Sequence, residues 1–183
     1  MKIKKVNFND EKFVSLINFY LLRSSPIPRI DGFASFSAKQ LAINEYIETL
    51  SGLDLSIACF DDDGDYLFFV FLDKLSDECL DLEFAFPNMP NNPSTDLMRD
   101  CFYRLCLYGL DYFGCDKIKG TIRRQKKKDP FKIFLKRYIK AISYKENQGC
   151  EHDSVYLNRE SILANCEKLK IQSNRDKLDD QTP

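Results

Sequence analysis

Histidine is almost missing from this chain: its 183 residues hold one, His152, at the expected start of a strand. A Ser/His/Asp or Cys/His constellation needs a histidine beside its nucleophile, and none can be assembled here. Seven cysteines are present, yet no two are spaced C-x-x-C, which removes the usual sequence support for structural zinc. Their number is odd, and Cys59, Cys79, Cys101, Cys106 and Cys115 lie within apolar segments, so buried free thiols are expected rather than disulfides. No apolar run approaches the length of a membrane span, and Met1 to Val6 lacks the apolar core of a signal peptide. A cytoplasmic protein with no membrane partner is expected. A formal charge of -1 lacks the footprint of a dedicated polyanion binder and argues against nucleic acid as a partner.

What is present is enough apolar matter for one sizeable core: 44% of residues are hydrophobic and nothing marks two domains. Residues 1–169 are read as one domain and 170–183, polar in composition, as a disordered tail. A short first strand over Lys2 to Phe8 precedes a helix capped by Asn9 or Asp10 and running to about Arg23. A loop carrying Pro26, Pro28 and Gly32 follows. Ser37-Ala38-Lys39-Gln40 has the form of a capping box that opens a second helix, closed by Gly52. Leu53–Phe60 and Tyr66–Leu72 are strands joined by Asp61-Asp62-Asp63-Gly64-Asp65, a hairpin tip in which glycine supplies the positive φ. The acidic spacing there does not match a calcium-binding EF-hand loop, so a solvated tip is expected and no metal site.

The chain is organised around Cys79 to Ile139. Cys79 to Phe86 alternates apolar and polar residues and stops at Pro87, which reads as a strand. Ser94 or Thr95 caps a helix with apolar positions Leu97, Cys101, Leu105, Tyr108 and Tyr112, and Gly114 closes it. Lys117 to Ile122 is a further strand and Pro130 to Tyr138 a helix with proline in its first turn. This is a βαβα unit whose crossover makes its two strands parallel. Strands over Lys140–Lys145 and His152–Leu157 and a helix from Arg159 complete the order β-α-α-β-β-β-α-β-α-β-β. The fold class is α/β, a single mixed, mostly antiparallel sheet with the βαβα unit at its centre and helices on both faces.

That element order, the strand-turn-helix at Leu82 to Phe113, the phrase Tyr112-Phe113-Gly114-Cys115-Asp116-Lys117-Ile118 and the closing His152-Asp153-Ser154-Val155-Tyr156-Leu157-Asn158-Arg159-Glu160 resemble the GNAT (GCN5-related N-acetyltransferase) superfamily, its ribosomal-protein-acetylating branch in particular. The resemblance covers Ile3 to Leu163. It implies acetyl-CoA in a gap between the fourth and fifth strands, with its pyrophosphate on the loop before the following helix, and an amine as acceptor. It places the cofactor against Phe84 and Phe86 and against Asn91, Asn92, Ser94 and Thr95. The family's loop is glycine-rich and basic at its start, whereas Met89-Pro90-Asn91-Asn92-Pro93 has neither glycine nor a basic residue, and Asp96 adds a negative charge in the helix's first turn, so the pyrophosphate loop reads as degenerate.

The catalytic expectations follow the same resemblance. Phe134 stands where the family carries a proton-donating tyrosine, which leaves Tyr138, four positions on, as the candidate acid. Glu83, read as facing away from Leu82, Phe84 and Phe86, is placed to relay a proton from the amine through water. The run Arg123-Arg124-Gln125-Lys126-Lys127-Lys128 offers Arg124 and Lys127 to the 3'-phosphate of CoA. The alternative is a catalytically inactive GNAT-fold pseudoenzyme, a binding or assembly module that uses the same surfaces for a protein partner.

Overall fold

Seven successive apolar residues, Tyr66 to Leu72, form most of strand β3 (Tyr66–Lys74), and all are buried. A strand apolar at every position needs cover on both faces, and β3 accordingly lies inside the sheet with helices above and below. The computed structural model describes residues 1–24, 36–87, 94–123, 135, 139, 142–145 and 152–168, with the backbone alone described at some of these, Phe84, Phe86 and Thr95 among them. The expected tail over 170–183 and the loop over 25–35 lie outside the described residues.

The other strands are β1 (Lys2–Lys5), β2 (Leu55–Phe60), β4 (Cys79–Pro87), β5 (Lys117–Arg123), β6 (Ile142–Lys145) and β7 (His152–Asn158). They form one seven-stranded sheet in the order β1-β2-β3-β4-β5-β7-β6. Every neighbouring pair is antiparallel except β4 and β5, the two strands that the crossover joins. This is the expected mixed, mostly antiparallel sheet.

Helices α1 (Glu11–Ser24) and α2 (Phe36–Ser51) cover one face, where Phe13, Ile17, Leu21, Ile43 and Leu50 pack on Ala58, Tyr66, Phe69 and Phe71. Phe13 is fully buried, with the rings of Phe8, Phe69 and Tyr66 centred 5.3, 5.2 and 5.9 Å away. Burying one such side chain stabilises the fold by about 1.5–3 kcal/mol. Asp10 fixes where α1 begins. Its Oδ1 accepts the Lys12 amide at 2.9 Å and its Oδ2 accepts the Tyr66 hydroxyl at 2.6 Å, tying the helix start to β3. The Tyr66 hydroxyl is the chief reason the Asp10 carboxyl titrates below its ordinary range. The second helix departs from expectation: it begins at Phe36, so Ser37 lies within its first turn rather than capping it.

Helices α3 (Thr95–Phe113) and α4 (Arg159–Lys168) cover the other face. The buried apolar side chains of α3 are Cys101, Phe102, Tyr103, Leu105, Cys106, Leu107 and Leu110, a band broader than the expected stripe, of which Cys101 and Leu105 are part, while Tyr112 is half exposed. Tyr112 lies on the outer side of the last turn, under the Lys5 ammonium, 5.4 Å from the ring centre. Gly109 lets α3 approach β3, because a Cβ there would stand 2.3 Å from Leu72 Cδ1. Gly114 ends the helix at φ 69°, its expected role. Leu135 is helical and buried, and its carbonyl accepts the Ile139 amide at 3.1 Å, which agrees with the helix expected over Pro130 to Tyr138. Cys59, Cys79, Cys101, Cys106 and Cys115 are buried free thiols. Among the described residues no helix is long and apolar enough to cross a membrane.

Candidate functional site

Strand β4 pairs with β3 along its length but with β5 for only four residues, Cys79 to Leu82 against Lys117 to Gly120. Beyond that rung the partners separate. Glu83 to Pro87 stay on the β3 side, while Thr121 to Arg123 pair with Ser154, Asp153 and His152 of β7. The parallel pair therefore opens as a wedge toward the carboxyl ends of its strands, where open α/β sheets place ligands.

The cause is a β-bulge. Phe71 pairs with Phe84 and Leu72 with Leu82, so Glu83 is an extra residue with no counterpart on β3. A bulge increases local twist and bends the strand that carries it. It also resets the alternation. Leu82 and Phe84 pair with consecutive residues of β3 and thus fall on opposite faces of the sheet, which corrects the expectation that Leu82, Phe84 and Phe86 share one face with Glu83 opposite. Gly120 stands at the vertex, where a Cβ would lie 3.1 Å from Val155 Cγ2 and 3.5 Å from Leu82 Cβ. Its missing side chain lets the two strands close tightly at the last rung.

Glu83 is exposed, yet its carboxyl is held above the ordinary value of 4.5, first by the desolvation imposed by the surrounding protein and then by the charges of Asp81 and Asp73. Asp73 pairs across the strands with Asp81 and is itself raised by its hydrogen bond with Asp54. A carboxylate raised in this way is a stronger base when ionised.

Along the chain β4 leads to α3, whose first-turn amides suit an anion. Ser94 is the cap: its Oγ accepts the Leu97 amide at 3.2 Å and its carbonyl accepts the Met98 amide at 2.9 Å. First-turn amides have no intrahelical partner, so those of Thr95 and Asp96 remain as donors, and the Ser94 hydroxyl keeps a proton to donate. Asp96, 84% exposed, places a negative charge there. Arg99, 20% exposed, meets it with Nη2 2.8 Å from Asp96 Oδ1, and its Nε is buried with no hydrogen-bond partner among the described residues. Sequence reading missed this guanidinium. The i,i+3 spacing from Asp96 was its signal, and it offsets the charge that opposes an anion at this helix end.

Of the expected site residues, Glu83, Phe84 and Phe86 lie on the part of β4 beyond its last rung with β5, and Ser94 and Thr95 at the start of α3. Asn91, Asn92, Arg124, Lys127 and Tyr138 lie outside the described residues. Among the described residues no group of three or more His, Cys, Asp or Glu converges as a metal site. The arrangement supplies open strand amides for an extended polar chain, helix amides for an anion, and one base at the vertex.

No protein-family model matches the chain, and no curated protein matches it in sequence. Solved structures do. A spermidine N-acetyltransferase SpeG variant from Vibrio cholerae superposes with a TM-score of 0.56 at 13% identity, over 90% of this chain and 99% of that one. The Campylobacter jejuni N-acetyltransferase PseH in complex with acetyl coenzyme A gives 0.54 at 11%, over 86% and 99%. Aminoglycoside 6'-acetyltransferase type Ii gives 0.54 at 13%, over 87% and 97%. At these identities the likeness establishes the fold, which is of the GNAT type.

Proposed function

We propose that the protein is an acyl-CoA-dependent N-acyltransferase that moves an acetyl group to an amine. The observation that carries this reading is the β4–β5 wedge with a bulged carboxylate at its vertex, in a chain whose next helix has a capped N-terminus. The residues fit the cofactor: the open β4 amides can pair with an amide-bearing arm, and the Thr95 and Asp96 amides can receive phosphate now that Arg99 offsets Asp96.

Acetyl-CoA supplies the activated acyl thioester, and the chain supplies position and proton handling. The backbone of Phe84 and Phe86 orients the arm, while Asn91, Asn92, Ser94 and Thr95 bind the pyrophosphate and Arg124 and Lys127 the 3'-phosphate. Glu83 takes the proton of the amine, directly or through one water, and its raised pKa makes it a stronger base than a free carboxylate. A β4 amide freed from strand pairing by the bulge donates to the oxygen on which charge develops, and Tyr138 donates the proton that the leaving sulfur needs. An aligned wedge of this kind contributes through positioning even where the acid is weak.

Calorimetric titration with acetyl-CoA tests the reading, repeated on an Arg124→Ala and Lys127→Ala double variant. Saturable heat in the parent chain that weakens at least about tenfold in the double variant is expected, since two phosphate contacts are lost. No heat at millimolar ligand refutes it and leaves the fold as a binding module.

A further inference from the structure

Three sulfur atoms come together on the α3 face of the sheet from three different parts of the chain. Cys59 comes from β2, Cys101 from α3, and Met1 from just before β1. Cys101 Sγ lies 3.4 Å from Met1 Sδ, and Cys59 hydrogen-bonds both the Cys101 side chain and, at 3.8 Å, the Cys101 carbonyl. Both cysteines are fully buried, while Met1 is only partly so and forms the rim between the pair and solvent. Cys79 and Cys115, the other buried thiols whose charges sense one another, have no thioether contact of this kind among the described residues.

We propose that Cys59, Cys101 and Met1 form a binding site for a soft monovalent cation, Cu(I), independent of acyl transfer. Two thiols and a thioether with no hard oxygen or nitrogen donor in the set are the ligands that select Cu(I) over zinc, calcium or magnesium. Zinc in a structural site takes four ligands, and among the described residues three sulfurs are gathered here. A metal–sulfur bond of about 2.3 Å sets three sulfurs about 4 Å apart, so the Cys101–Met1 contact must open by roughly half an ångström. The Met1 side chain, unbranched and at the rim, absorbs that shift. Both cysteines bind as thiolates, so uptake of one Cu(I) releases two thiol protons to solvent and leaves the buried site with one net negative charge spread over the metal and its sulfurs. Among the described residues, the charges of Arg104 and Asp100 act on Cys59 and are paired with each other at 3.1 Å, and the Met1 ammonium is paired with Asp62 at 3.0 Å.

The test uses the full chain, reduced and metal-free, titrated without oxygen with Cu(I) held as its bathocuproine disulfonate complex. The parent chain and a Cys106→Ser control are expected to withdraw one equivalent, and Cys59→Ser and Cys101→Ser none at the same chelator concentration. Circular dichroism checks that each variant is folded. X-ray absorption at the copper edge of the loaded parent chain provides a readout that needs no substitution, and three sulfur neighbours at about 2.3 Å are expected. Failure of the parent chain to withdraw copper, uptake unchanged in both cysteine variants, or a nitrogen and oxygen shell around the metal each overturns the proposal.

Discussion

Replacing Gly109 by alanine separates two physical expectations. As a change within a helix, Gly→Ala stabilises by about 0.8–1 kcal/mol, because glycine loses more backbone entropy on folding. At this position the added Cβ would stand 2.3 Å from Leu72 Cδ1 and 3.6 Å from Leu80 Cδ1. Carbons rest at about 3.5–4.0 Å, so Leu72 or the helix must retreat by more than about 1 Å. Leu72 is fully buried in β3, next to the bulge rung, and has no free space to enter. Overpacking of this degree costs about 1–3 kcal/mol, and with the helix gain subtracted the net is a destabilisation of about 0–2 kcal/mol. Urea unfolding followed by far-ultraviolet circular dichroism measures it, and for a chain of this size each kcal/mol corresponds to about 2–4 °C in Tm. Leu72→Ala in the same chain removes the clash, so the double-variant cycle is expected to show a favourable coupling of about 0.5–3 kcal/mol. A Gly109→Ala variant more stable than the parent by the full helix increment, with no coupling to position 72, refutes the close seating of α3.

Glu83→Gln is expected to lower kcat by about 10²–10⁴ if Glu83 is the base, and to abolish the rise of rate with pH through its ionisation. It also has a stability signature. The folded carboxyl is raised above 4.5, so the native state holds the proton longer than the unfolded chain; parent stability falls as pH rises from 4.5 through the folded value, and the variant, which does not titrate, lacks that fall. Equilibrium unfolding across that window reads it, and superimposable curves would show that Glu83 is not desolvated. Arg99→Ala leaves Asp96 unopposed and is expected to weaken acetyl-CoA binding by about three- to tenfold at low salt, with Asp96→Asn restoring it; calorimetry that finds no change removes Arg99 from the site. Arg159 joins α4 to the end of α3, with Nη1 on Asp111, Nε 3.5 Å from Asp116 Oδ1 and Nη2 donating to the Cys115 carbonyl at 2.9 Å. Arg159→Ala is expected to cost about 1–3 kcal/mol in urea unfolding, and Arg159→Lys to recover only part, because an ammonium cannot reproduce the fork.

Most of the element order was legible because each element carries its own punctuation. Asp10 before α1, Ser94 before α3, Gly114 after it and Gly64 at φ 84° in the β2–β3 tip are local signals whose meaning does not depend on the rest of the chain. The parallel pairing of β4 with β5 was legible from the crossover alone. The ends of elements were less so: the strand expected from Leu53 starts at Leu55, and the one expected from Lys140 is described from Ile142. In the first case Leu53 and Asp54 still belong to the turn that Gly52 begins after α2, where the Leu53 amide returns to the Leu50 carbonyl at 3.3 Å.

The bulge at Glu83 was not legible, and the reason lies in its partner. Leu82, Phe84 and Phe86 keep a perfect two-residue alternation, so β4 read by itself has one apolar face and no insertion. A register shift shows in sequence only if the opposite strand also alternates, so that a slip would bring a polar residue into the core. Strand β3 is buried and apolar from Tyr66 to Leu72, and any phase of β4 against it is hydrophobically acceptable. The site's defining feature is thus written in a pairing that neither strand's pattern constrains: what fixes it is the packing of Gly109 on Leu72 and Gly120 on Leu82, contacts between residues far apart in the chain. The wedge follows from that packing, since a strand bent at Glu83 cannot remain paired on both sides, and the longer β3 ladder holds while the four-residue β5 ladder ends.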